Sequence, residues 1–180
     1  PAVPDADVVC YGLWLDAGVA KDHGVFVSDR RTPCTLKRML QKPSVQTLQQ
    51  LLETDYYLTD IGVWMLSDRA VRLLMERSKR NGGLVEYDLY GEFGCALGTD
   101  PLADDPELRQ LSVAVVPLPG GEFYHYGTSR EMISSTLAVQ NLVNDQREIM
   151  HHDNKPHPSI FVQNARMAAA IGSQNTNLWI

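Results

Sequence analysis

Apolar residues recur along this chain in two rhythms. Val8–Leu15 (VVCYGLWL) is an unbroken apolar run, as expected of a strand covered on both faces. Gly24–Ser28 (GVFVS) and Leu36–Gln41 (LKRMLQ) read as two more strands, the second stopped by Pro43. Tyr56–Leu66 is rich in aromatic and β-branched residues and predicts a strand in which Gly62 marks a bulge or a close backbone approach. Leu111–Leu118 predicts another. Between these runs the period lengthens. Ser44 stands as an N-cap before Val45, Leu48, Leu51 and Leu52, which share one helical face. Ser67, with Asp68 in the first turn, opens a second helix whose inner face reads as Ala70, Val71, Leu74, Met75 and Ser78, and Asn81-Gly82-Gly83 stops it. Residues 88–97 stay ambiguous, because their glycines weaken a helix.

The stretch GEFYHYGTSREMISST at 121–136 combines both rhythms. It predicts a short strand over Glu122–Tyr126, a turn at Gly127, and a helix to about Asn144 opened by the capping box Thr128-x-x-Glu131. His125 then projects from a strand end beside a helix N-terminus, where alternating folds place ligands. Beyond it, His151 to Pro158 form a polar linker, and short apolar pieces follow. The pattern predicts an α/β domain over 1–145 and a truncated β-rich module over 146–180.

Composition narrows the partners. Sixteen basic against 22 acidic residues give a net charge of −6 with no concentrated basic face, which argues against nucleic-acid binding. Three well-separated cysteines argue against a disulfide framework and for a reducing, cytoplasmic setting. No apolar run reaches membrane-spanning length, and no signal peptide opens the chain. A start at Pro1 and a finish on Leu178-Trp179-Ile180 suggest a piece of a longer protein.

Four groups carry candidate chemistry. Lys42, between a strand and a proline turn, can hold an ammonium over a phosphate, although most such lysines are solvated. Asp60 lies in an otherwise apolar strand beside Gly62; either it binds something or it faces water from an edge strand, and the edge reading is the commoner. Glu122 and His125 point to opposite faces of an ideal strand, so a shared site needs the bend before Gly127. His125 suits a metal ligand, a proton carrier or a hydrogen-bonded core histidine, the last being the commonest state of an isolated histidine. His151, His152, Asp153 and His157 suit zinc by type, but their spacing matches no closed site.

The order of HGVF at 23–26, MLQKPS at 39–44, YLTDIGVWMLSDRAVRLL and GGEFYHYGTSREMISS resembles the sugar-1-phosphate nucleotidyltransferases. The wording of QKPS and GEFYHYGTS is most similar to the fucose-1-phosphate guanylyltransferase branch, which includes forms joined to a fucokinase. The resemblance covers residues 7 to 140. It implies a partial nucleotidyltransferase-like, Rossmann-like mixed sheet followed by the start of a left-handed β-helix. It also implies GTP and fucose 1-phosphate as substrates, GDP-fucose and pyrophosphate as products, and Mg²⁺ as cofactor. Lys42 would meet the sugar phosphate as the catalytic positioning cation, Gly24 would offer backbone groups, and Gln41 and Asp60 would bind sugar hydroxyls. Gln41 and Asp60 stand where the family usually has Glu and Asn. His125 replaces a metal-binding Asp, and histidine suits Mg²⁺ poorly. The family's Gly-rich nucleotide loop is not in these residues, so the resemblance implies a missing nucleotide-binding half and an inactive fragment. The alternative is a non-catalytic module that binds sugar phosphate or scaffolds a fucokinase.

Overall fold

A twelve-residue strand at the centre of a mixed sheet organises the computed structural model, which describes residues 3–80, 82–143, 160–161, 166, 168 and 178–180. Contacts group the chain into two units, Pro1–Gly121 and Glu122–Ile180. The boundary read from the sequence at 145 falls outside the described residues.

In the first unit, β1 (Val8–Leu13) leads through the short helix α1 (Ala17–Ala20) to β2 (Gly24–Asp29), β3 (Arg38–Gln41), helix α2 (Val45–Leu51) and the central β4 (Asp55–Leu66). Helix α3 (Asp68–Arg77) follows, then a small hairpin of β5 (Lys79–Arg80) and β6 (Gly83–Leu84), and later β7 (Val113–Pro117). The sheet order is β3-β2-β4-β1-β7. All neighbours are antiparallel except β1 and β7, which run parallel. The α/β class and the five main strands follow the apolar pattern.

The helix caps behave as their sequence indicates. Ser44 Oγ accepts from the Thr47 amide at 3.1 Å, and Ser67 Oγ from the Ala70 amide at 3.2 Å. Each satisfies an amide the first helical turn leaves unpaired. Asp7 ties three element starts together. Its carboxylate accepts from the Ser67 hydroxyl at 3.0 Å and from the Ser112 amide at 3.0 Å.

One face of the sheet buries Phe26, Met39, Leu58, Val8 and Cys10 with Phe93, Leu97 and Leu108 from the segment after β6. Fully burying a side chain such as Phe26 or Met39 contributes about 1.5–3 kcal/mol. The opposite face holds a smaller cluster of Val25, Val27, Tyr57, Ala20 and Leu48.

Several expectations need correction. Val71 and Met75 of α3 are exposed, and it is Ala70, Leu73 and Leu74 that pack on the core. The helix starts at Asp68, and on that phase Arg77, not Met75, falls over the loop that carries Asp105. The ambiguous 88–97 stretch is a π-helical turn (Leu89–Phe93) and a 3₁₀ turn (Gly94–Ala96), with Asp88 accepting from the Tyr90 and Gly91 amides. Gly94 permits this packing, since a Cβ there would lie 2.4 Å from Met39 Sδ.

In the second unit, Glu122–Tyr126 is not a strand. Its aromatic groups are engaged locally: the Tyr124 hydroxyl donates to Glu122, and the rings of Phe123 and His125 stack at 5.8 Å. The capping box does form, with Thr128 Oγ1 accepting from the Glu131 amide at 3.2 Å at the start of α4 (Ser129–Val143). Two short strands, β8 (Ile160–Phe161) and β9 (Leu178–Trp179), pair in parallel. The linker from His151 to Pro158, with its candidate zinc ligands, lies outside the described residues.

Candidate functional site

Gly24, Gln41 and Asp60 meet at one place on the sheet. Gly24, the first residue of β2, pairs directly with Gln41, the last of β3. A Cβ built on Gly24 would fall 2.7 Å from Met39 Cε, 3.2 Å from Gln41 Oε1 and 3.4 Å from the Asp60 Cβ. The missing side chain therefore lets the Met39 methyl, the Gln41 amide and the Asp60 side chain all close on the backbone of β2. Lys42 comes next in the chain and is exposed. Its amide donates to the His23 carbonyl at 3.1 Å, which closes the turn. Its φ is +48°, the only positive value on a non-glycine residue among those described. A left-handed lysine costs roughly 1–2 kcal/mol, and strain of this kind gathers at functional sites.

Asp60 is a correction to the edge-strand reading. It sits on the central strand and is 6 % exposed. The device that supports it is a bulge. Gly12 of β1 pairs with Asp60, yet the adjacent Tyr11 pairs with Val63, so Ile61 and Gly62 are extra residues in β4. Gly62 takes a φ of +76° there, as the sequence anticipated. In a regular strand, residues four apart are about 13 Å apart. With two residues looped out, Trp64 draws close enough for its Nε1–H to donate to Asp60 Oδ1 at 3.0 Å. The Gly62 amide donates to the same oxygen at 2.8 Å. Burial pushes the Asp60 carboxyl above its ordinary range, and the donors at Gly62, Trp64 and Ile61 hold part of that rise back.

Sequence reasoning missed Trp64 and the aromatic shell behind it. The indole packs edge-on against Phe26 at 5.7 Å and Tyr90 at 6.0 Å. The signal was present as Asp-x-Gly-x-Trp, which only a bulged strand brings together.

No family model matches the chain. One curated protein decides the comparison. The chain is 58 % identical, over 99 % of its length, to an L-fucokinase/L-fucose-1-P guanylyltransferase of Bacteroides fragilis. It spans 19 % of that protein.

Glu122 and His125 belong to the second unit. Glu122 accepts from Tyr124, and His125 Nδ1 lies 3.2 Å from Glu131 Oε1. His125 is not a core histidine, because 44 % of its side chain is exposed. Its ring folds over Gly127, where a Cβ would come within 2.2 Å of Cε1. The His125 contact is the main reason the Glu131 carboxyl lies below its ordinary value, with Thr128 adding to it. Ser135 Oγ donates to the His125 carbonyl at 2.5 Å and fixes the turn on the helix.

Among the described residues no helix is long and apolar enough to cross a membrane. Nor do three or more His, Cys, Asp or Glu side chains cluster so as to hold a metal ion.

Proposed function

We propose that the cluster of Gly24, Gln41, Lys42 and Asp60 is the sugar-phosphate side of a nucleotidyltransferase site that makes GDP-fucose and pyrophosphate from GTP and fucose 1-phosphate. One observation carries the reading: a closely packed glycine backbone, an amide, a buried carboxylate and a lysine in a strained turn come together in a chain 58 % identical to a protein with that name. The Gln41 amide donates and accepts. Asp60 holds its donors on one edge and keeps acceptor capacity for a sugar hydroxyl, since a carboxylate offers about four lone-pair sites. Lys42 supplies a point charge for the phosphate. Attack of the sugar-phosphate oxygen on the α-phosphorus of GTP needs no protein nucleophile. The part of these residues is to position that phosphate.

The Mg²⁺ expected of such an enzyme finds no carboxylate cluster among the described residues, and Asp60 is already engaged by N–H donors, so no metal-dependent step is assigned here. In the second unit, the paired residues 160 and 178 lie 18 positions apart, three times the hexapeptide repeat of a parallel β-helix, which supports reading the tail as the first coil of one. The sheet of the first unit is then the nucleotidyltransferase-like part.

The test is titration of fucose 1-phosphate into the chain by calorimetry or phosphorus NMR. Lys42→Ala should weaken binding about 10- to 100-fold, the worth of one charge-assisted hydrogen bond. The same substitution in the full parent protein should lower GDP-fucose formation by a similar factor, and the chain alone should form none from GTP and Mg²⁺. Undiminished GDP-fucose formation by the substituted parent would end this assignment.

A further inference from the structure

Strand β4 is longer than one of its two neighbours. Its first five residues, Asp55–Thr59, pair with β2, which reaches no further than Gly24. On the other side β1 follows β4 as far as Leu66. The outer half of β4 therefore has a partner strand on one side and none on the other among the described residues. The Val8 amide donates to the Ser112 carbonyl, and the Leu118 amide to the Gly12 carbonyl, each at 3.0 Å. Val8, Cys10 and Gly12 thus turn their backbone groups toward β7. Val9 and Tyr11 turn theirs toward β4, where they meet Met65 and Val63. Trp64 and Leu66 then present N–H and C=O away from β1, and no described residue takes up those groups.

The side chains along this edge are apolar on both faces of the sheet. Val63 and Met65 share one face and are 48 % and 46 % exposed. Trp64 and Leu66 share the other, partly buried against the main core. A strand laid along the edge would set its own side chains beside both pairs. It must then be apolar throughout, as strands covered on both faces are. A peptide with one polar face does not fit. Beyond the bulge at Ile61 and Gly62, no lysine, proline or charge guards the edge, and an unguarded apolar edge is a template for pairing. The edge also starts beside Asp60, so an added strand would adjoin the proposed sugar-phosphate site. The Bacteroides fragilis relative is matched over only 19 % of its length, which leaves most of such a protein to supply the strand.

We infer that the outer edge of β4, Val63 to Leu66, is completed by an apolar strand from the part of the full-length protein outside these residues, hydrogen-bonded to the Trp64 and Leu66 backbone. The inference rests on the proposed reading of the chain as one part of a longer transferase. Hydrogen exchange, resolved to single amides by mass spectrometry with electron-transfer fragmentation, tests it on the chain and on the full-length protein. The Val63 and Met65 amides face β1 and should exchange slowly in both. The Trp64 and Leu66 amides should exchange freely in the chain and about 100-fold or more slower in the full-length protein, because opening free energies rise from near zero at free groups toward the global value in core strands. Amides at Trp64 and Leu66 that stay fast in the full-length protein overturn the inference. So do amides already slow in the chain, which would put a second copy, or the chain itself, on the edge. GDP-fucose formation by the full-length protein is read separately. An active protein with a fast-exchanging edge loses the strand and keeps the function; an inactive one with a protected edge keeps the strand and loses the function.

Discussion

Substituting Asp105 by Asn tests how α3 is held to the loop beneath it. Asp105 receives two hydrogen bonds from Arg77, Nε to Oδ2 at 2.8 Å and Nη2 to Oδ1 at 2.9 Å. The Leu108 and Glu107 amides also donate to its Oδ1, each at 3.1 Å. Arg77 is the main reason its carboxyl falls from 3.8 to about 2. That gap is worth about 2.4 kcal/mol at neutral pH. The side chain is 20 % exposed, so screening trims the figure to about 2 kcal/mol. The sign follows from the depressed value. The stabilisation is fully present above 3.8 and fades as pH falls toward 2, with about half remaining at pH 3. Urea unfolding of wild type and Asp105→Asn should therefore differ in midpoint by about 1 M at pH 7, for a slope of about 2 kcal/mol/M. The difference should shrink by about half at pH 3. Equal midpoints at pH 7, or a gap that does not narrow with acid, would refute the reasoning.

Other substitutions probe the backbone and the surroundings of Asp60. Gly98→Ala should cost about 2–3 kcal/mol by thermal unfolding, because φ is +106° and the new Cβ would lie 2.4 Å from the Lys37 carbonyl oxygen, which cannot swing aside. Ser67→Ala should cost about 1 kcal/mol through the lost cap of α3, read in the same way. Trp64→Phe removes the indole donor, so the Asp60 carboxyl should titrate still higher in a carbon NMR titration, and fucose 1-phosphate binding should weaken at low pH first. Asp60→Asn should unfold at a higher temperature than wild type at pH 7, with the advantage vanishing in acid, because a carboxyl raised by burial penalises the fold only while it is charged.

What the sequence made legible was what local physics dictates. Ser44, Ser67 and Thr128 cap their helices because each needs only its own first turn. The long apolar runs became strands because no other arrangement buries them. Tertiary position was less legible. Asp60 reads as a solvated edge residue until the pairings Gly12–Asp60 and Val25–Thr59 place β1 and β2 on either side of its strand. Glu122–Tyr126 has a strand's composition, yet it makes its own contacts through Tyr124, His125 and Glu131 and pairs with no strand. The inner face of α3 was misjudged by one step, because Arg77 is drawn inward by an acid 28 residues away.

The two residues looped out at 61 and 62 also bear on how such a site is gained or lost. An even-numbered insertion preserves the alternation of the strand, so Leu58 and Trp64 keep their places in the core with or without it. Excising Ile61 and Gly62 would heal β4 into an ordinary ladder, and the carboxylate would lose the Gly62 amide without any core residue changing sides. The sheet thus carries this backbone donor as a detachable part, which a single in-frame event can install or erase while the surrounding scaffold survives.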